Sequence, residues 1–218
     1  MIDKKALIDS LVIIHPESSP AIIIDMPYCD ATHPENVFGM ALYKEDAPFV
    51  LTEKLAEIVL DVAYALHEEK GWYLCLKDGL RPTESQALMN QSPLVQKNPH
   101  WANVLISQPG QGAHPRGCAV DVTLLDEHKK IIDMGTVFDY FSTDLDNNPA
   151  ARDYKNLSSD ILEKRAYLTH LFETSAKELE LPIFPLPSEW WDYRFPLDQY
   201  KDFPALSNDD LPNEYKLL

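Results

Sequence analysis

The segment GAHPRGCAVDVTLL, residues 112–125, joins a polar loop to a predicted strand. In its second half apolar and polar residues alternate and β-branched side chains are frequent, which predicts a strand over residues 119–125. His114 lies in the loop before this strand, and Asp121 lies within it. If a turn at Gly117 folds the chain back, the imidazole and the carboxylate can converge on a divalent cation such as zinc. The spacing alone also fits a hydrogen-bonded loop pair, which is the commoner arrangement.

Predicted strands and helices follow one another in irregular order on both sides of this segment. Apolar, β-branched or aromatic runs predict strands at residues 21–26, 72–77, 119–125 and 189–195. Apolar residues at helical spacing predict helices at residues 52–70, 83–90 and 158–181. A turn after residue 125 predicts a hairpin that returns at residues 131–133, and residues 92–112 are expected to be mostly loop. This order favours an α+β fold.

The length of the chain favours a single domain. Its 218 residues can bury one substantial core, and no repeat, low-complexity tract or long linker divides the sequence. We therefore expect one domain over residues 1–218, with an N-terminal extension at residues 1–20 and a C-terminal tail at residues 204–218.

The composition is strongly acidic. The 35 Asp and Glu residues outnumber the 19 Lys and Arg residues, which gives a formal net charge of −16. Because nucleic acids and anionic membranes attract basic surfaces, we expect neither as a partner. The sequence shows no secretory signal and no membrane span, which predicts a cytoplasmic protein, and it leaves the oligomeric state open. The three cysteines have no CxxC spacing, which argues against a disulfide framework and a zinc ribbon.

Two acidic residues flank a tryptophan pair in SEWWDY, residues 188–193. Glu189 and Asp192 are three positions apart, so on a regular strand they point to opposite faces. Their joint use in one site requires a bend or bulge where the strand begins. With such a bend, one carboxylate could bind a metal and the other could act as a general base. The alternative is an aromatic edge strand with two solvated acids.

Two further loops carry candidate polar residues. In DGLRP, residues 78–82, Arg81 follows a tight turn, and its fixed positive charge is suited to stabilising an oxyanion over a cleft. A surface salt bridge to Asp78 or Glu84 is the competing interpretation. In MGTVFD, residues 134–139, Asp139 could bind a cationic amino group, although by itself it is only a loop acid.

Together these motifs resemble the D-alanyl-D-alanine dipeptidases of the VanX type. That family has the signatures SxHxxGxAxD, DGYRP, MGxxFD, EWWHY and NNFxG, together with a tyrosine segment near the start. The corresponding segments here are GAHPRGCAVD (residues 112–121), DGLRP (78–82), MGTVFD (134–139), EWWDY (189–193), NVFG (36–39) and DMPY (25–28). The matches are in the same order and span roughly residues 22–200. The resemblance implies the family's single-domain fold, a central, mostly antiparallel sheet flanked by helices.

The resemblance also implies a reaction and a set of site residues. It implies hydrolysis of D-alanyl-D-alanine or a related short dipeptide with one zinc ion per chain, held by His114, Asp121 and Asp192. Glu189 would be the general base, and Arg81 would stabilise the oxyanion. Substrate contacts are implied for Asp139, Tyr28, Asp78 and Trp190, the first two at the free amino group.

The third metal position departs from the family pattern. The family has histidine where this chain has Asp192. Two carboxylates would cancel the charge of a divalent cation, and harder oxygen ligands would make manganese, iron or cobalt more competitive with zinc. Asp192→His is therefore expected to raise zinc affinity. Gly112 stands where the family has serine, which leaves the exact dipeptide open.

Three functional interpretations follow. The first is an active metallodipeptidase with an altered metal shell. The second is a catalytically impaired relative that binds a peptide or cell-wall fragment without a competent zinc site. The third is a structural or partner-binding protein. The presence of Glu189, Arg81 and Asp139 favours the first, because a binding module does not need a general base.

Overall fold

The strand predicted at residues 119–125 is the centre of a five-stranded sheet in a computed structural model of the chain. The structure describes residues 3–101, 106–142, 144 and 146–218. In these residues the strands are β1 (Leu11–Ile14), β2 (Ile22–Ile24), β3 (Phe49–Thr52), β4 (Tyr73–Asp78), β5 (Ala119–Leu125), β6 (Phe184–Pro185) and β7 (Asp192–Arg194). The α-helices are α1 (Lys4–Asp9), α2 (Glu53–Lys70), α3 (Thr83–Gln91), α4 (Pro93–Lys97), α5 (Ser159–Glu178) and α6 (Leu197–Tyr200).

The larger sheet has the strand order β2-β4-β5-β7-β6. β2 and β4 are parallel, whereas β4–β5, β5–β7 and β7–β6 are antiparallel. β1 and β3 form a separate antiparallel pair. The α+β class and the mostly antiparallel central sheet are therefore confirmed.

Helix α2 packs against β4 and α5 and covers the sheet. The five apolar positions whose helical spacing predicts a buried face are all buried: Leu55, Ile58, Val59, Val62 and Leu66. Burial of each side chain of this size stabilises the folded state by about 1.5–3 kcal/mol. Every residue of β5 is buried as well, so this strand is covered on both faces. The carboxyl group of Asp121 on this strand is therefore largely shielded from bulk water.

Several elements differ from the sequence expectations. Residues 92–112 include α4, which Ser92 caps by accepting a hydrogen bond from the backbone N–H of Val95, and a 3₁₀ turn at Pro99–Trp101. Residues 102–105 of that predicted loop lie outside the described residues. The hairpin reduces to a single bridge between Leu125 and Ile131.

The predicted aromatic strand is shorter than expected and begins only at Asp192. Before it, the backbone N–H of Glu189 donates to Leu186 and that of Trp190 donates to Ala150, so these residues turn instead of pairing along a strand. This is the bend that joint use of Glu189 and Asp192 requires.

Both ends of the chain pack on the core. β1 pairs with β3, with Leu11 opposite Thr52, a contact between distant segments that local patterns do not reveal. Near the other end, Leu206 and Leu217 are buried. The predicted boundaries of the domain, the extension and the tail stay predictions. In the described part of the chain, no helix is both long and apolar enough to cross a membrane.

The three cysteines carry free thiols. Cys75 and Cys118 are buried, and Cys29 is half-buried. Burial raises the pKa of the Cys118 thiol to about 12. Cys118 is therefore protonated near neutral pH and poorly suited to binding a metal, even though it lies within the signature segment.

Candidate active site

Three carboxyl groups lie side by side across the central sheet. In the strand register, Asp78 at the end of β4 is opposite Asp121 on β5, and Asp121 is opposite Asp192 on β7. All three side chains are buried. Like charges opposite one another on neighbouring strands are destabilising, and burial strengthens their repulsion. This carboxylate row (Asp78, Asp121 and Asp192) therefore needs cationic partners.

Asp78 holds the first of these cations, Arg81, and both of its carboxylate oxygens accept hydrogen bonds. Its Oδ1 accepts hydrogen bonds from the Tyr43 hydroxyl (2.7 Å) and the Gly79 backbone N–H (2.9 Å). Its Oδ2 accepts from both Nε (2.7 Å) and Nη2 of Arg81. Nη2 of Arg81 is in turn 3.6 Å from Oδ2 of Asp121. Asp78 thus positions Arg81, and a contact of Asp78 with substrate stays a prediction.

The turn at Gly117 brings His114 onto the carboxylate row. A 3₁₀ turn at His114–Arg116 ends at Gly117, which has a left-handed φ of 63°. A Cβ at this position would lie 2.9 Å from Cδ2 of Leu11, closer than a real Cβ can approach. The glycine of the signature is therefore required by its backbone conformation and by its closeness to β1.

Alanine at Gly117 is expected to lower the free energy of unfolding by about 2 kcal/mol, roughly twice the loss expected for Gly39→Ala. Gly39 has the same φ of 63°, but a Cβ there meets no atom of the described residues within 4 Å. Gly39→Ala therefore measures the backbone strain alone, and Gly117→Ala adds the contact with Leu11. Urea unfolding of both variants tests the comparison, and equal losses would contradict it.

His114 directs one ring nitrogen at two members of the row. Its Nδ1 donates to the Gly79 carbonyl oxygen over 2.8 Å, which leaves Nε2 to face the carboxylates. Nε2 lies 3.3 Å from Oδ2 of Asp192 and 3.5 Å from Oδ2 of Asp121. Burial and Arg81 act to lower the pKa of His114, but Asp121 and Asp192 outweigh them and raise it to about 10. The space around Nε2 therefore favours a proton or a metal cation.

Arg194 is the third cationic partner, and no sequence motif indicated it. It lies two residues after Asp192, on the same face of β7. Its Nε donates to Oδ1 of Asp192 over 2.7 Å, and its Nη2 donates to Oδ2. Burial acts to raise the pKa of Asp192, but Arg194 outweighs burial and holds that pKa well below its usual range. The only sequence signal was the two-residue spacing of an acid and a base on a predicted strand.

Glu189 and Asp139 also line the cleft. Burial, with Asp192 and Asp121 nearby, raises the pKa of Glu189 to about 8. Burial, followed by the charges of Glu189 and Asp192, raises the pKa of Asp139 well above its ordinary value. Asp139 has a left-handed φ of 50°, a strained conformation for a residue other than glycine. Both acids are thus held where cationic groups of a ligand or metal would stabilise their charged forms.

Tyr28 and Trp190 lie behind the cleft rather than on its surface. Tyr28 is completely buried, its ring is 5.9 Å from the Arg81 guanidinium, and its hydroxyl has no hydrogen-bond partner among the described residues. Trp190 is buried, and its indole N–H donates to the Thr136 hydroxyl over 2.7 Å. Trp190 thereby ties the loop that carries Asp139 to the turn that carries Glu189. Contacts of Tyr28 and Trp190 with substrate stay predictions.

Two arginines that the motifs did not indicate support the cleft from behind. Arg165 on α5 donates to the Met134 carbonyl over 2.7 Å and to the Pro149 carbonyl over 2.9 Å. Arg152 donates over 2.8 Å to the backbone carbonyl of Asp192. The loop that carries Asp139 and the start of β7 at Asp192 are therefore fixed by side chains from outside the cleft.

Several carboxylate oxygens surround the imidazole of His114 and could hold a divalent cation together with it. His114 presents an unprotonated Nε2 once its proton leaves, because Nδ1 is committed to a carbonyl. Oδ1 of Asp121 is buried and has no hydrogen-bond partner among the described residues. Asp78, His114 and Asp121 are also close enough together to form a metal-binding group. The oxygens of Asp78 already accept hydrogen bonds from four donors, and Oδ2 of Asp192 lies 3.3 Å from Nε2 of His114, so Asp192 is an alternative third ligand.

The remaining walls of the cleft are apolar or uncharged, and they include Phe38, Gln86, Met89, Ile106, Gln111 and Phe141. Apolar and uncharged side chains therefore border the charged groups of the cleft.

Comparison with known proteins identifies the family to which this site belongs. The model of the Peptidase_M15 family, described as D-ala-D-ala dipeptidase, matches residues 17–206. The chain belongs to this family. It is 27% identical over 208 residues to the D-alanyl-D-alanine dipeptidase of Escherichia coli (strain K12), which covers 95% of this chain and 93% of that protein. A crystal structure of the L-Ala D-Glu endopeptidase ChiX from Serratia marcescens matches 69% of this chain and 84% of that chain, with 13% identity and a TM-score of 0.40.

Family membership confirms the resemblance that the motifs indicated. As a Peptidase_M15 protein the chain is a peptidase, and the members of this family are zinc metallopeptidases. The structure brings together His114, Asp121, Asp192, Glu189, Arg81 and Asp139 in one cleft. The roles of these residues, the identity of the metal and the substrate are treated below as proposals.

Proposed function

We propose that this Peptidase_M15 protein is a metal-dependent dipeptidase that hydrolyses D-alanyl-D-alanine or a related short dipeptide. The observation that carries the proposal is the position of His114 Nε2 between Asp121 and Asp192, in the cleft that also contains Glu189 and Arg81. The similarity to the Escherichia coli D-alanyl-D-alanine dipeptidase supports this substrate class.

His114, Asp121 and Asp192 would hold one metal ion per chain. When bound, the ion supplies Lewis acidity toward water and toward the peptide carbonyl. Zinc suits one imidazole and two carboxylates, and manganese, iron or cobalt could replace it because two of the ligands are oxygen donors.

Glu189 serves as the general base in this proposal. It takes a proton from the attacking water and passes it to the leaving amine. A pKa of about 8 in the metal-free protein is close to neutrality, which suits a group that must both accept and return a proton. A nearby divalent cation would lower this pKa and keep Glu189 charged at the start of the reaction.

Arg81 and Asp139 would bind two parts of the dipeptide, its peptide carbonyl oxygen and its free amino group. The Arg81 guanidinium is fixed by Asp78 and would stabilise the negative charge that develops on the carbonyl oxygen. Asp139 would hold the free amino group of the dipeptide, whose positive charge favours the ionised carboxylate. The Tyr28 hydroxyl, buried without a partner among the described residues, is a second candidate for that contact.

Hydrolysis assays with the purified protein test the proposal. We expect D-alanyl-D-alanine to be cleaved by protein loaded with zinc, manganese, cobalt or iron at some pH between about 6 and 9, and L-alanyl-L-alanine to be cleaved much more slowly. No turnover with any of these metals would contradict a dipeptidase. Binding of the dipeptide without turnover would instead support the catalytically impaired relative.

Metal binding is expected to release about one to two protons per chain near pH 7. His114 and Glu189 have raised pKa values, about 10 and about 8, so both are protonated at pH 7 before the metal binds. Apparent affinity should therefore rise as the pH increases toward 8. Titration calorimetry in buffers of different ionisation enthalpy measures the release, and Glu189→Gln should reduce it. Proton-independent binding would show that His114 does not bind the metal.

A further inference from the structure

Arg194 is placed where it can act on the proposed metal site through Asp192. Its guanidinium reaches both oxygens of the Asp192 carboxylate, and only 15% of its side chain is exposed. Its cross-strand neighbour on β5 is Ala119, whose small side chain leaves room for the arginine to lie along the sheet. Arg194 therefore belongs to the floor of the cleft and not to the solvated surface.

The ion pair leaves Asp192 able to bind a cation. An ionised carboxylate has about four lone-pair directions, and a two-pronged arginine uses one on each oxygen. Oδ2 of Asp192 still faces Nε2 of His114 at 3.3 Å. Ligand carboxylates in metal sites are commonly oriented by hydrogen bonds of this kind from a second group.

Each end of the carboxylate row is paired with an arginine. Asp78 is paired with Arg81, and Asp192 is paired with Arg194, which leaves Asp121 in the middle beside His114. Glu189 and Asp139 face the same cleft. Relative to a His/Asp/His ligand set, Asp192 adds one negative charge, and Arg194 adds one positive charge beside it. The net charge around the proposed ion is therefore the same as with two histidines.

We propose that Arg194 is a positioning residue that makes Asp192 a competent third ligand, by orienting its carboxylate and balancing its charge. This inference rests on the proposed function. It also changes the expectation for Asp192→His. That substitution alone leaves an unpaired arginine facing the metal, so it lowers zinc affinity unless Arg194 is replaced as well.

Zinc affinity of four proteins, measured by competition with a chromophoric chelator, tests the inference. The four are the wild type, Arg194→Gln, Asp192→His and the double variant. Arg194→Gln should weaken zinc binding by about tenfold or more in the wild-type background, the loss typical of a removed outer partner. In the Asp192→His background the same change should strengthen binding by about tenfold. This reversal of sign is what pairing between the two residues predicts.

Cobalt absorption spectra provide a readout that a merely structural role would not alter. Cobalt-loaded Arg194→Gln should have a changed visible spectrum, because Asp192 is no longer held in its ligand geometry. Arg194→Lys retains the charge without the two-pronged contact and should bind zinc with intermediate affinity. It also keeps the test open if Arg194→Gln does not fold, since lysine can still form an ion pair with Asp192.

Failure of the inference about Arg194 and failure of the proposed function give different results. If the wild type binds zinc and cleaves the dipeptide, but Arg194→Gln changes zinc affinity equally in both backgrounds, the inference is wrong and the proposed function stands. If the wild type binds none of the four metals, both are wrong.

Discussion

Glutamine in place of Glu189 is expected to lower kcat for D-alanyl-D-alanine by about 10³-fold, within the range of about 10² to 10⁴ that general acid–base catalysis contributes. Glutamine has nearly the same shape but cannot accept and return a proton. The carboxyl group lines the cleft with the proposed metal ligands, and their charges help to raise its pKa to about 8. Steady-state kinetics of the metal-loaded variant measure the loss.

The loss should come from the chemical step and not from the metal site or the fold. Elemental analysis should find about one metal ion per chain in both proteins, because Glu189 is not among the proposed ligands. Glu57→Gln removes the same charge from an exposed position on α2 and should leave kcat unchanged. A Glu189→Gln variant with kcat within about tenfold of the wild type would assign the proton transfer to another group.

Methionine in place of Arg81 is expected to lower kcat by about 10²- to 10³-fold, as does removal of one oxyanion-stabilising group in other hydrolases. It should also lower the free energy of unfolding by about 3–5 kcal/mol, because it leaves the buried Asp78 carboxylate without its cation. Kinetics and urea unfolding measure the two effects separately.

A second substitution separates these effects. Asp78→Asn in the Arg81→Met background removes the unpaired charge, so stability should recover in part while kcat stays low. Arg81→Lys should retain more activity than Arg81→Met, since the charge remains but the two-pronged contact with Asp78 is lost. If the double variant regains activity together with stability, Arg81 has a structural role only.

The elements that could be predicted are those with strong local patterns. The strand at residues 119–125 coincides with β5, and the helix predicted at 52–70 is α2 with one residue removed at its start. Their side-chain periodicity is a property of neighbouring residues, so it can be read without a partner. The β1–β3 pair could not be predicted because it joins segments about 40 residues apart.

The same distinction applies to the cleft. The close approach of His114 to Asp121 could be predicted from one short segment with a glycine turn, and the structure contains that turn at Gly117. The sequence could not show that both oxygens of Asp78 accept hydrogen bonds, because Tyr43, one of the donors, lies 35 positions away in the chain. The two-pronged contact of Arg194 with Asp192 depends on a short strand whose start was misplaced by three residues.

Residue types, their order and their spacing were enough to predict the family, the α+β class and six of the charged or titratable residues that line the cleft, because these depend on local chemistry. The balance of charge within the cleft required the folded chain. Cross-strand register sets Asp78, Asp121 and Asp192 in one row and places an arginine at each end of it. That register is set by the packing of β4, β5 and β7, strands far apart in the sequence, so the surroundings of Asp192 could be read only from the tertiary structure.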